Sequence, residues 1–166
     1  MRKRKPTPLD FEVDKLTNSI ENTLTGEVFD TEIVRLISKD NKQITKSVWQ
    51  FDWIIELNDT TKEIYKLTTT NNSTIIQGLL SIENKQDHIF IHLIESAKFN
   101  VGKDKVYFGV ASNLVAFACK VSFEKGYEGY VDFDAKTPLI KHYHKCLAQH
   151  IFGDRECILK QQQQNV

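Results

Sequence analysis

The residues best placed to do chemistry form a short turn of small side chains, Gly109-Val110-Ala111-Ser112-Asn113. It sits between an extended segment and an apolar, helix-spaced run. A strand that ends in a glycine turn and enters a helix is a common anion site. The first backbone N–H groups of a helix have no internal partner, and the macrodipole adds about half a positive charge there. Gly109 lets the backbone approach a ligand closely, and Ser112 or Asn113 would cap the helix. The turn is therefore expected to hold the phosphates of a cofactor. A nucleotide P-loop would need GxxxxGK[ST], which this stretch lacks.

Three other constellations have a plainer explanation. His142 and Cys146 are four apart and His150 follows one turn later, but a zinc site needs three or four convergent ligands. No second cluster of matching spacing appears, so no metal is expected and solvated histidines beside a buried Cys suffice. Cys119 lies on the apolar face of the helix-spaced run, where a free thiol is a small core residue rather than a nucleophile. Trp49, Phe51 and Trp53 would line a substrate pocket or, as aromatics more often do, pack into the core.

The elements that must position these residues follow from the spacing of apolar positions. Thr25-Gly26 is a turn signal inside Phe11–Leu36, which reads as a strand or hairpin. Ser38–Val48 is polar and begins with a Ser cap, as a short surface helix does. Trp49–Leu57 alternates at Trp49, Phe51 and Trp53 as a strand would, and Ile54-Ile55 breaks that alternation. Glu63–Thr69, Ser73–Glu83 and His88–Glu95 are three strands with short polar connections, the mark of an antiparallel meander. Gly78 inside the middle strand points to a bulge or a close neighbour.

Beyond the loop Ser96–Lys105 the architecture changes. Ser112–Lys125 places Leu114, Val115, Ala118, Cys119 and Phe123 near one helical face, and Gly126 and Gly129 bracket its exit. Tyr130–Asp134 is a short strand. Thr137-Pro138 starts a second helix to about Cys146, and Phe152–Leu159 is a final strand. The expected class is α/β (α+β): an antiparallel meander, a parallel βαβ step between Glu95 and Asp134, then a C-terminal helix and strand.

Composition narrows the function classes. The 166 residues suit one domain, spanning 11–159, between a disordered basic arm at 1–10 and a flexible Gln-rich tail at 160–166. Lys plus Arg equals Asp plus Glu at 22 each, which counts against a dedicated nucleic-acid binder. No apolar stretch approaches the length of a membrane span, and three cysteines without CxxC spacing fit a reduced, cytoplasmic protein.

GLLSIE after two extended segments, together with GVASNLVAFACKVSFEKGYEGYVDF, resembles the GNAT superfamily of N-acetyltransferases over roughly residues 64–158. In that family's cofactor motif the pattern is Gln or Arg, two residues, Gly, one residue, then Gly or Ala. Gly109 and Ala111 match the last two places, and Val106 stands at the first. Backbone amides need no particular side chain, so the phosphate cradle survives that change. TPLIKHYHKCL, Thr137–Leu147, is similar to the family helix whose tyrosine points at the cofactor thiol, and Tyr143 is the match. The tripeptide that follows in the family, Leu-Gly-Phe, is here Leu147-Ala148-Gln149.

The resemblance implies acetyl-CoA as cofactor, with its pyrophosphate on the amides of Gly109, Val110, Ala111, Ser112 and Asn113. The pantetheine arm would run beside Leu93, Ile94 and Glu95, where the fourth and fifth strands splay. A neutral amine would attack the thioester directly, with Tyr143 as acid and Glu95 or His92 as base. Strand alternation puts Glu95 on the face of Ile89, Ile91 and Leu93, and His92 on the other. The acceptor would be a small-molecule or peptide amine, and family members often pair through their sheets, which allows a homodimer. Two other readings stand beside this one. A GNAT-like domain without catalysis would serve as a binding module, and a toxin-like enzyme would acetylate aminoacyl-tRNA using the Arg2–Lys5 arm, against the zero net charge.

Overall fold

A computed structural model describes residues 18–133 and the strands 151–152, 155–156 and 158–161. The basic arm and the helix expected from Pro138 lie outside these residues, as does the Gln-rich end beyond Gln161, whereas Lys160 and Gln161 of the expected flexible tail belong to a strand. The turn at Thr25-Gly26 closes a hairpin of β1 (Ser19–Asn22) and β2 (Val28–Arg35), as its residues require. The meander follows as β3 (Glu63–Thr69), β4 (Gly78–Asn84) and β5 (Ile89–Ser96). Next come β6 (Tyr107–Phe108), the helix α2 (Val110–Glu124) and β7 (Tyr130–Phe133). The short helix α1 (Trp53–Asn58) precedes β3. The expected final strand divides into β8 (Ile151–Phe152), β9 (Arg155–Glu156) and β10 (Ile158–Gln161).

The described strands form an eight-stranded sheet in the order β10-β7-β5-β4-β3-β2-β1-β6, with β8 and β9 paired apart from it. Pairing is antiparallel from β6 through to β5. It is parallel from β5 to β7 and from β7 to β10. The expected order of an antiparallel half followed by a parallel step is thus realised. Helix α2 is the crossover between β5 and β7, which parallel strands require.

Each face of the sheet is covered. Leu114, Val115, Ala118 and Cys119 of α2 bury one face with Leu67, Leu80, Ile82, Ile89, Ile91 and Ile94. This is the inward stripe that the helical spacing of those residues produces. Gly126, at φ 80°, ends the helix by taking a left-handed conformation. Cys119 is buried there as expected, but it is disulfide-bonded rather than a free thiol. On the other face Trp49, Trp53, Ile64, Ile76 and Leu79 form a second cluster.

Trp49–Leu57 is not a strand. Asp52 accepts a hydrogen bond from the amide of Ile54 and caps α1, so Trp53 starts a helix. Trp49 and Trp53 are both buried, their rings edge-to-face at 6.4 Å, while Phe51 between them is 42% exposed. The apparent alternation came from two indoles, four residues apart, meeting in one cluster. Likewise the polar segment after Ile37 is a 3₁₀ turn, Ser38–Gln43, capped at Ile37 rather than at Ser38.

Strand β5 carries a bulge. Leu93 pairs with Ser81 and Ile91 with Ile82, which leaves His92 without a partner on β4. The extra residue reverses the alternation beyond it. Ile94 stays on the α2 face with Ile89 and Ile91, and Leu93 turns to the tryptophan cluster.

Gly78 marks a close approach, as its place in a strand implied. A Cβ there would lie 2.6 Å from Val110 Cγ1, 2.9 Å from Leu114 Cδ1 and 3.3 Å from the carbonyl oxygen of Glu95. Gly78→Ala should therefore destabilise the protein by about 1–3 kcal/mol, as overpacking does. A melting temperature equal to wild type would show that α2 can withdraw without cost.

Candidate active site

The helix start is built as an open cradle. Gly109 holds φ 92° and ψ 2°, a left-handed conformation that suits glycine, and this turns the chain from β6 into α2. The first intrahelical bond runs from the amide of Asn113 to the carbonyl of Gly109 at 3.0 Å. The amides of Val110, Ala111 and Ser112 precede it, and no side chain caps them.

Neither expected cap acts as one. Asn113 is fully buried, its amide donating to the carbonyls of Ser19 at 2.9 Å and Gly109 at 2.7 Å. Its Oδ1 accepts from the hydroxyl of Thr31 at 3.1 Å. Asn113 therefore ties the helix start to β1 and β2, and Ser112 is buried as well. Val106 spends both backbone groups, its amide donating to the Phe99 carbonyl in the loop and its carbonyl accepting from the Thr23 amide just past the end of β1. Beside it Lys105 places its ammonium 4.7 Å from the ring centre of Phe108, the residue before Gly109.

The cradle faces the end of β5, since the Gly78 approach puts Val110 and the Glu95 carbonyl around one point. Pairing of β5 with β7 covers only Ile89, Ile91 and the residue between them. From Leu93 to Ser96, the described strands pair β5 on one edge alone, through β4. The expected pantetheine stretch, Leu93, Ile94 and Glu95, is that one-sided segment.

Glu95 does not share a face with Ile89 and Ile91, because the bulge turns it over with Leu93. It is 7% exposed. Oε1 accepts from the amide of Gln50 at 2.5 Å, and Oε2 accepts from the amide of Phe51 at 3.3 Å and from Trp53 Nε1 at 2.7 Å. His92 lies on this same face, not the opposite one. Its Nε2 is 2.6 Å from Oε2 of Glu83, whose neighbour two places back, Ser81, bonds Glu56 of α1. Tyr143, the expected acid, lies outside the described residues, as do His142, Cys146 and His150.

The partners of Glu95 were not visible beforehand. A carboxylate buried on a strand needs donors, but nothing local tells that two amides and an indole 42 to 45 positions earlier supply them.

The chain matches no protein-family model and no curated protein sequence. Its structure aligns with an aminoglycoside N-acetyltransferase, AAC(6')-Iy, solved in complex with CoA. The TM-score is 0.51 at 13% identity, over 85% of this chain and 99% of that one. The fold is GNAT-like. Nourseothricin acetyltransferase aligns more loosely, at a TM-score of 0.41 and 15% identity over 86% of this chain and 79% of that one. In the GNAT-like fold β5, α2 and β7 form the parallel step, and the bulge and the cradle both sit on it. Among the described residues no helix is long and apolar enough to cross a membrane.

Glu83 beside His92 has its carboxyl held below its ordinary value of 4.5 by hydrogen bonds from Lys85 and then from His92, against a smaller opposing effect of burial. A lowered folded value means stability that is present above about pH 4.5 and is lost as pH falls through the lowered value. Glu83→Gln should melt below wild type at pH 7, by at most about 2–4 °C for a single carboxylate near a strand end. The two should converge in acid. A gap that persists below pH 3 would assign the effect to packing instead of charge.

Proposed function

We propose that the chain is an acyl-CoA-dependent N-acyltransferase that uses acetyl-CoA to acetylate an amine by direct attack. The observation that carries this reading is the uncapped helix start at Val110, Ala111 and Ser112 standing beside the one-sided end of β5. Three amides at a helix N-terminus with no capping side chain among the described residues suit a pyrophosphate. A strand edge without a neighbour suits an arm that carries amide groups of its own. Both belong to a fold shared with an acetyltransferase solved in complex with CoA.

The residues present fit that cofactor. The turn from Gly109 to Asn113 would receive the pyrophosphate, with the Lys105 ammonium over Phe108 just before it, and the backbone of Leu93, Ile94 and Glu95 would take the arm. Acetyl-CoA supplies an activated thioester when bound. The chain must then accept a proton from the amine and give one to the leaving thiolate. Tyr143 is the proposed donor, by its match to the family tyrosine. His92 and Glu95 are the titratable groups that the bulge brings to one face of β5.

Acetyl-CoA should raise the melting temperature. At a hundred times its dissociation constant, a ligand of the native state adds about 2.7 kcal/mol, several degrees for a domain of this size. No shift at millimolar acetyl-CoA would end the transferase reading and leave a GNAT-like domain that serves as a binding module.

With binding in place, Tyr143→Phe should lower kcat by about a hundredfold or more, the usual scale of general acid catalysis, at nearly constant acetyl-CoA affinity. Unchanged turnover would remove Tyr143 from the mechanism.

A further inference from the structure

Glu95 is a carboxylate taken out of water and met by three N–H donors, none of them on a cation. Removing such a group from water is costly unless donors replace its hydration, so the site is specific. Oε2 accepts two of these hydrogen bonds and Oε1 the third. All three donors belong to one turn, Gln50–Trp53. That turn carries the wall of a cavity of about 290 Å³, lined by Trp49, Phe51, Asp52, Trp53 and Ile54, with Lys46 as the one cationic residue among the described lining. Phe51 and Ile54 are 42% and 46% exposed, and the Asp52 carboxylate is on the surface with Oδ1 accepting from Ile54. An amine with an apolar body fits such a wall: rings and aliphatic groups for the body, a carboxylate for the ammonium.

We propose that Glu95 is a positioning residue that fixes the Gln50–Trp53 turn to the cofactor strand β5, and so sets the cavity where an apolar-bodied amine acceptor docks. This rests on the transferase reading above. Glu95 would act through Trp53 and the two amides, with its backbone beside the cofactor arm and its carboxylate buried behind the turn that forms the acceptor wall. The carboxylate then links the two substrates without touching the reacting atoms.

The test uses the full chain, acetyl-CoA and 2-phenylethylamine as the acceptor probe. Wild type should acetylate the probe. In Glu95→Gln the new amide would turn N–H groups toward N–H donors and loosen the turn. The KM for the amine should rise about tenfold, equal to 1.4 kcal/mol, while kcat falls far less. The pH profile of kcat/KM and the melting shift with acetyl-CoA should both be kept. Trp53→Phe keeps the carboxylate and removes one donor. It should raise the same KM by a smaller factor, and it carries the test if Glu95→Gln does not fold.

A hundredfold loss of kcat at constant KM, with one limb of the pH profile gone, would make Glu95 the base and overturn the proposal. Unchanged amine KM in the folded variants would overturn it too. A wild-type protein that shows the melting shift yet leaves the probe unacetylated would overturn the acceptor cavity while sparing the transferase reading. No melting shift at all would remove both.

Discussion

The slip in pairing between β4 and β5 at His92 is the constraint on which the site depends. Up to Ile91 the strand is paired on both edges and follows simple alternation. Beyond His92 its only partner among the described strands is β4, and its side chains have changed faces. One extra residue thus does two things at once. It opens an edge of backbone, and it turns Leu93 and Glu95 away from α2 toward the tryptophan cluster. Without the slip, Glu95 would face the aliphatic underside of a helix, where no donor waits for it.

The helix on the opposite face is held just as specifically. Gly78 lets α2 approach β4 more closely than any side chain would permit, and Asn113 ties the helix start to the first hairpin. The helix N-terminus is thereby fixed beside the carbonyl of Glu95. Among the described residues no side chain caps its leading amides, and Asn113, one of the two expected caps, is spent on tertiary contacts. A rigid start with free donors is a better anion receptor than one whose own side chain competes.

Two layers meet at the same strand end: a helix start on one side, and on the other a turn held by a carboxylate. The first is built from backbone amides, which need no particular side chain. The second is built from side chains and depends on a buried acid with no cation beside it. This division explains why the cradle was easier to find than its surroundings. A glycine turn before a helix is a local pattern, whereas the partners of Glu95 lie more than forty residues away.

The sequence by itself determined the meander, the helix, the parallel step and the glycine turn. Each rests on spacings of two or of three to four residues that the backbone enforces locally. It also marked Gly78 as the place of a bulge or a close approach, and the structure makes it the close approach. Only the tertiary structure decided which face Glu95 occupies, that Asn113 pins rather than caps, and that Trp49–Trp53 is a turn into a helix. Those outcomes turn on one unpaired residue in a ladder and on partners far along the chain. Alternation predicts a face only while the pairing is unbroken, and a buried polar group takes whichever distant donor the fold brings to it.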